Sequence, residues 1–179
     1  ANIRVTAGSQ AILIKALGII VTASGSSGAL TTIRTSAGAI TLQSNSDGNA
    51  DGGFIHIKNY ASISSLSGNI TLTGGSDPST GFAESTSGSS TNMAGILLAT
   101  GLTTNDYSDS ISIDAGSGNV LLRGKTNGTS QGRGILVPRS SSDSLRSSIK
   151  GKNITMIGQS TGSGSWYGIE FGAQAVQSG

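Results

Sequence analysis

The stretch SGNITLTGG, Ser67 to Gly75, reads as a turn of small residues opening a short strand. Close variants occur at AGAITLQSN (Ala37–Asn45), SGNVLLRGK (Ser117–Lys125) and GKNITMIGQ (Gly151–Gln159). Each places a β-branched and an apolar residue two apart, as in Ile70 and Leu72. In a strand those two share one face, and the Thr between them takes the other. The first anchor of the repeat is therefore Asn or Ala followed by such a strand: NIRV at Asn2, AITL at Ala39, NITL at Asn69, NVLL at Asn119 and NITM at Asn153. A second anchor is Gly followed by an apolar strand, at Gly18 (GIIV), Gly53 (GFIHI), Gly95 (GILL), Gly134 (GILV) and Gly168 (GIEF). The spacing from first anchor to second is 16, 14, 26, 15 and 15 residues, and four of the five values agree within two. The odd value marks an inserted Ser/Thr/Gly-rich loop, residues 76–92.

A third strand signal precedes each new unit: TTIRT around Ile33, ASISSL around Ile63, DSISID around Ile111 and Ile113, and SLRSSIK around Leu145 and Ile149. Small-residue corners (SAG, LSG, GSG, KGK) then lead into the next first anchor. Three short strands per unit, repeated five times with the last unit incomplete, predict an all-β right-handed parallel β-helix, or β-solenoid, over residues 1–179. The coils are expected to begin near residues 2, 39, 69, 119 and 153. Stacking would place Ile3, Ile40, Ile70, Val120 and Ile154 in one inward ladder, and Val5, Leu42, Leu72, Leu122 and Met156 in a second. No single coil should fold alone, because each buries its apolar face only against its neighbours.

Composition supports strands over disorder. The chain has 28 Gly and only 11% charged residues, yet 35% are hydrophobic and fall in short clusters, and there are only two Pro. A net charge of +2, from 11 basic and 9 acidic residues scattered along the chain, gives no clustered basic face for nucleic acid. No apolar run approaches the roughly 18 residues of a membrane span, so membrane insertion is not expected. Without cysteine there is no disulfide framework and no thiolate metal site. A first residue other than Met, already on a strand-like pattern, suggests a piece of a longer chain.

The cadence of NIRVTAG, AITLQS, NITLTGG, NVLLRGK and NITMIGQ with their GI partners resembles the repeat regions of filamentous-haemagglutinin-like exoproteins. These are the passengers of two-partner secretion and related giant bacterial surface adhesins. The resemblance covers essentially the whole chain. It implies a β-helical shaft secreted across the outer membrane of a Gram-negative bacterium, serving adhesion, biofilm formation or contact-dependent interaction. Its partners would be neighbouring coils of the parent chain, copies of itself, or a host or bacterial surface receptor or glycan. No functional residue of the family can be carried over, because these are shaft repeats. On this reading the chain is not an enzyme, and the 76–92 loop is the displayed feature. A carbohydrate-binding or polysaccharide-cleaving β-helix and an end-to-end self-assembling filament subunit are the alternatives.

The residues themselves offer few sites. Asp47, Asn49 and Asp51 in DGNADG satisfy the opening of a calcium loop, with hard oxygen donors at alternate positions. Lys58 stands where the bidentate Glu of such a loop belongs, so an ordinary inter-strand turn is expected, with calcium as the alternative and no other cofactor. Catalytic carboxylates are scarce: Glu84 lies in the inserted loop, Glu170 at an outward strand position, and Asp106, Asp109 and Asp114 around NDYSDSISID. His56, the sole histidine, should face solvent if Ile55 and Ile57 face the core. Trp166, Tyr167 and Tyr107 are candidate ligand contacts, since exposed aromatics stack on sugar rings. Asn69, Asn153 and Asn127 are formal glycosylation sequons. The first two are expected instead in an asparagine ladder, which leaves Asn127 as the accessible candidate.

Overall fold

The computed structural model describes residues 3–22, 31–48, 52–86, 94–98, 111–128, 132–138, 147–162 and 167–171. Among them lie strands and no helix. The strands are β1 (Ile3–Ala7), β2 (Ile12–Ala16), β3 (Ile19–Thr22), β4 (Thr31–Thr35), β5 (Ile40–Ser44), β6 (Ile55–Lys58), β7 (Ala61–Ser65) and β8 (Ile70–Gly74). They continue with β9 (Ala83–Ser85), β10 (Ala94–Leu98), β11 (Ser112–Asp114), β12 (Val120–Thr126), β13 (Arg133–Val137), β14 (Ser148–Lys150), β15 (Ile154–Ser160) and β16 (Tyr167–Phe171).

Three parallel sheets result. Sheet A runs β1-β4-β7-β11-β14, sheet B runs β2-β5-β8-β12-β15 and sheet C runs β3-β6-β10-β13-β16. Each coil gives one strand to each sheet, so the chain is a parallel β-helix. With about 4.8 Å between paired strands, five coils rise about 24 Å.

The inward ladders follow from the period-2 pattern. In sheet B, Ile12, Ile40, Ile70, Val120 and Ile154 are in register, and so are Ile14, Leu42, Leu72, Leu122 and Met156. Ile33, Ile63 and Ile113 enter the core from sheet A, and Ile55, Ile57, Ile96, Leu98, Ile135 and Val137 enter it from sheet C. Ile40, Leu42, Ile70 and Leu72 have no exposed surface, while the intervening Thr41 and Thr71 are half-buried on the outside.

The first coil differs from the sequence expectation. Ile3–Ala7 pairs with Thr31–Thr35 in sheet A, so the sheet B ladders begin at Ile12 and Ile14 rather than at Ile3 and Val5. The coils start on sheet A, and the fifth has all three of its strands. The pattern NIRV resembles NITL locally, but pairing over five residues with TTIRT decides its sheet.

The A–B corner carries the repeat's signature. Gly38, Gly68 and Gly118 stack above one another, and a Cβ on them would stand 1.9 Å from Gln10 O, 2.1 Å from Gly38 O and 2.3 Å from Gly68 O respectively. Only glycine lets the backbones approach this closely. Beside them the asparagines form the expected ladder: Asn119 N donates to Asn69 Oδ1 (2.9 Å) and Asn153 Nδ2 donates to Asn119 Oδ1 (2.8 Å). Backbone bonds continue it, from Ile40 N to Asn69 O, Ile70 N to Asn119 O and Val120 N to Asn153 O.

Replacing Gly68 by Ala drives a methyl into the coil below. We expect a loss of at least about 1–3 kcal/mol, the cost of overpacking a rigid site, read as a lowered urea midpoint. An equally stable Gly68→Ala chain would show that the corner can relax. Leu72→Ala, which opens a core cavity, should cost about 2–5 kcal/mol in the same titration.

Candidate functional site

The longest connection between strands of successive sheets lies where sheet B passes to sheet C. In the first coil Leu17 and Gly18 alone join β2 to β3, whereas residues 45–54 join β5 to β6, and residues 75–93, with β9 among them, separate β8 from β10. The described part of the third-coil insertion is built, not loose. The chain leaves β8 at Gly75, crosses the outer face of sheet B, and returns at Ala83–Ser85 to pair with Gly124–Thr126 of β12. Glu84 therefore lies on a short strand rather than in a free loop. Gly53 exchanges two backbone bonds of 2.7 Å with Glu84 and closes the other edge of β9.

Three outward residues in one column hold the crossing segment. Gln43, Thr73 and Arg123 occupy successive rungs of sheet B. Gln43 Nε2 donates to Gly75 O (2.7 Å), Thr73 Oγ1 to Gly81 O (2.8 Å), and Arg123 to Gly81 O (3.0 Å) and Thr80 O (2.8 Å). The Arg123 guanidinium also covers the Phe82 ring, 4.4 Å from its centroid. Within the segment, Asp77 Oδ1 accepts from the Ser79 N–H (2.8 Å) and hydroxyl (2.7 Å), and Oδ2 accepts from the Thr80 hydroxyl (2.9 Å). These donors, the Ser79 backbone first, hold the Asp77 carboxyl below its usual pKa.

Beyond this segment lies a groove of about 500 Å³. The second coil contributes Asn45 and Gly48 to its wall, the third coil Ser76, Asp77, Thr80, Phe82 and Glu84, and the fourth Lys125 and Asn127. Glu84 Oε1 lies 3.1 Å from Lys125 Nζ and accepts from Asn127 Nδ2 at 2.9 Å. The sequon residue Asn127 is thus exposed, but its amide is engaged at the groove.

The other sequence-derived sites fare differently. Asp47 lies in the Asn45–Gly48 turn, closed by Gly48 N donating to Asn45 O (2.9 Å) with Gly48 at φ +71°. Asn49 and Asp51 fall outside the described residues, as do Tyr107, Trp166, Asp106 and Asp109. Among the described residues no group of three or more His, Asp or Glu is placed to hold a metal. Tyr167 is half exposed on the last coil, and Glu170 pairs with Arg133 across sheet C. Asp114 caps its own turn through the Gly116 N–H (2.8 Å). Asn69 and Asn153 are ladder residues.

His56 is a correction. Ile55 and Ile57 do face the core, but His56 on the opposite face is only 1% exposed. Its ring stacks on Phe54 with centroids 4.2 Å apart, and its rung neighbour Leu97 is equally covered. The outer face of sheet C is buried here, which an alternating pattern alone does not reveal. Burial, with Lys58 adding to it, lowers the His56 pKa to about 4 against the pull of a hydrogen bond with the Ala94 backbone.

Compared with protein-family models, curated proteins and solved structures, the chain matches none. The groove and its clamp are therefore read from their own chemistry.

Two measurements check this geometry. Arg123→Ala removes charge-assisted bonds worth about 1.5–3 kcal/mol each, and should speed amide exchange at Gly81 while leaving the core amides of β8 protected. Uniform loss of protection would instead make Arg123 a global support. The buried His56 stays neutral in the fold while the unfolded chain takes up a proton below its ordinary pKa of 6.5. Stability should therefore be full above pH 6.5 and fall as pH drops toward 4, by about 3 kcal/mol in all. The urea midpoint of His56→Leu should stay flat between pH 6.5 and 5, where no other side chain of this chain normally titrates.

Proposed function

We propose that the chain is a non-catalytic shaft and display segment of a secreted bacterial surface rod, of the kind found in filamentous-haemagglutinin-like exoproteins. The observation that carries the reading is the continuity of the ladders at the two end coils. On the first coil Val5 is 42% exposed, and on the last Ile154 and Phe171 are 46% and 47% exposed. Ile12, Ile14, Ile19 and Val21 on one end match Ile154, Met156, Ile169 and Phe171 on the other in kind and place. Further coils, from a parent chain or from a copy of this one, would cover Val5, Ile12 and Ile14 at one end and Ile154, Met156, Ile169 and Phe171 at the other, whereas Ile19 and Val21 are already buried.

Continuing the register past β14, β15 and β16 would set Arg4 over Ser148, Thr6 over Lys150, Lys15 over Ile157 and Ile20 over Glu170. No like charges meet in these pairs, so strand addition at this edge meets no electrostatic penalty. The carboxylates fit a display role better than catalysis. Glu84 and Glu170 are both ion-paired, and the lowered pKa of Asp77 is the reverse of what a general acid needs. Localisation at the surface of a Gram-negative cell rests on the resemblance of the repeats.

A direct tandem fusion of two copies tests the shaft. Residues 172–179 and 1–2 would then form a connector as long as residues 138–147. One cooperative unfolding transition, at higher urea than the single copy, is expected from a continuous stack. Two independent transitions at the single-copy midpoint would overturn the reading. Incubation with a polysaccharide panel should give no cleavage; turnover abolished by Asp77→Ala or Asp114→Ala would show an enzyme instead. Sedimentation at rising concentration addresses assembly of free copies, with a persistent monomer arguing against end-to-end stacking.

A further inference from the structure

We infer that the groove over the third coil binds a neutral oligosaccharide. The inference rests on the display reading of the residue 76–92 excursion and gives that feature a ligand class. At about 500 Å³ the groove has the volume of a small-molecule site, which runs to about 300–1,000 Å³. Its walls come from loops of three successive coils, and the neighbouring rungs hold them before any ligand arrives. Arg123, Gln43 and Thr73 grip the loop through its backbone carbonyls, so ligand binding would pay little to order it.

The exposed chemistry is that of hydroxyl recognition. Glu84 offers a carboxylate acceptor, Asn127 an amide and Lys125 an ammonium donor, all lining one groove, while the Asp77 carboxylate is taken up in its own turn. Phe82, its ring held under the Arg123 guanidinium, lines the same groove and adds the apolar surface that the C–H face of a sugar ring requires. Charge narrows the class further. Two carboxylates face one lysine among the lining residues, so an acidic polymer or a nucleic acid meets no basic surface. A lone cation is served poorly, because both oxygens of Asp77 already accept hydrogen bonds. A peptide strand cannot add along β9, whose two edges are taken by β12 and by Gly53.

The test is calorimetric titration of the intact chain with three neutral trisaccharides, of N-acetylglucosamine, of glucose and of mannose, and with trigalacturonate as the acidic comparison. Saturable binding of at least one neutral trisaccharide is expected, tighter than any binding of trigalacturonate. Phe82→Leu keeps an apolar side chain but removes the ring, and Asn127→Ala trims an exposed amide. Each should weaken binding about tenfold or more with the urea midpoint preserved, while Asp114→Asn on sheet A should bind as the parent does. No saturable binding by any neutral sugar, equal binding by both groove variants, or preference for trigalacturonate would each overturn the inference. None of these results would alter the tandem-fusion outcome, so loss of the glycan site and loss of the shaft reading are separable.

Discussion

The spacing between rungs governs this molecule. Each coil lies about 4.8 Å above the last, and at the A–B corner that distance brings one backbone so close to the next that no side chain fits between them. Gly38, Gly68 and Gly118 meet this constraint, and the adjoining asparagines join successive corners by side-chain hydrogen bonds. Once that corner is fixed, every strand that leaves it is in register with those above and below. The inward Ile and Leu ladders then follow without further specification. The same constraint explains where the chain can vary: the A–B corner stays at three to five residues, and the long excursions occur at the other corners.

Because the constraint is local and periodic, most of the architecture was legible in the sequence. Ile70 and Leu72 on one face, a small-residue turn before them and a Gly-led strand after them state the unit, and its recurrence states the β-helix. The phase of the first coil was not legible. Asn2-Ile3 has the local form of Asn69-Ile70, and nothing within four residues distinguishes a sheet A strand from a sheet B strand. What settles it is that Ile3–Ala7 finds a five-residue partner in Thr31–Thr35 while Ile12–Ala16 finds one in Ile40–Ser44. That is a long-range fact.

The candidate site was half legible for the same reason. An insertion after Gly75 was visible as a broken spacing, and its Ser/Thr/Gly content marked it as an excursion. That three of its residues, Ala83–Ser85, return to the sheet could not be read, since AES carries no strand signature and is recruited by the extra length of β12. The column formed by Gln43, Thr73 and Arg123 was hidden too, because these three polar side chains share a face only once the register is known. His56 illustrates the converse. Alternation gave the direction of its side chain correctly, and burial was decided by what lies outside the sheet, a matter that period-2 patterning does not encode.

The clamp suggests how a repetitive rod carries an individual feature without losing its regularity. Gln43, Thr73 and Arg123 grip carbonyl oxygens of the crossing segment, groups that every residue supplies. The path of the segment is consequently set by its backbone, with side-chain contacts added where Asp77 organises its own turn, where Phe82 lies under Arg123 and where Glu84 meets Lys125 and Asn127. A loop held by its backbone can change its exposed residues without changing its path, so a ligand preference could shift while the ladders beneath stay as they are. Inward positions must repeat because each coil is the floor of the next, and outward positions need not. Whatever distinguishes this segment chemically from its neighbours should therefore lie outside the ladders, and Phe82, Glu84, Lys125 and Asn127 are the residues that the fold leaves there.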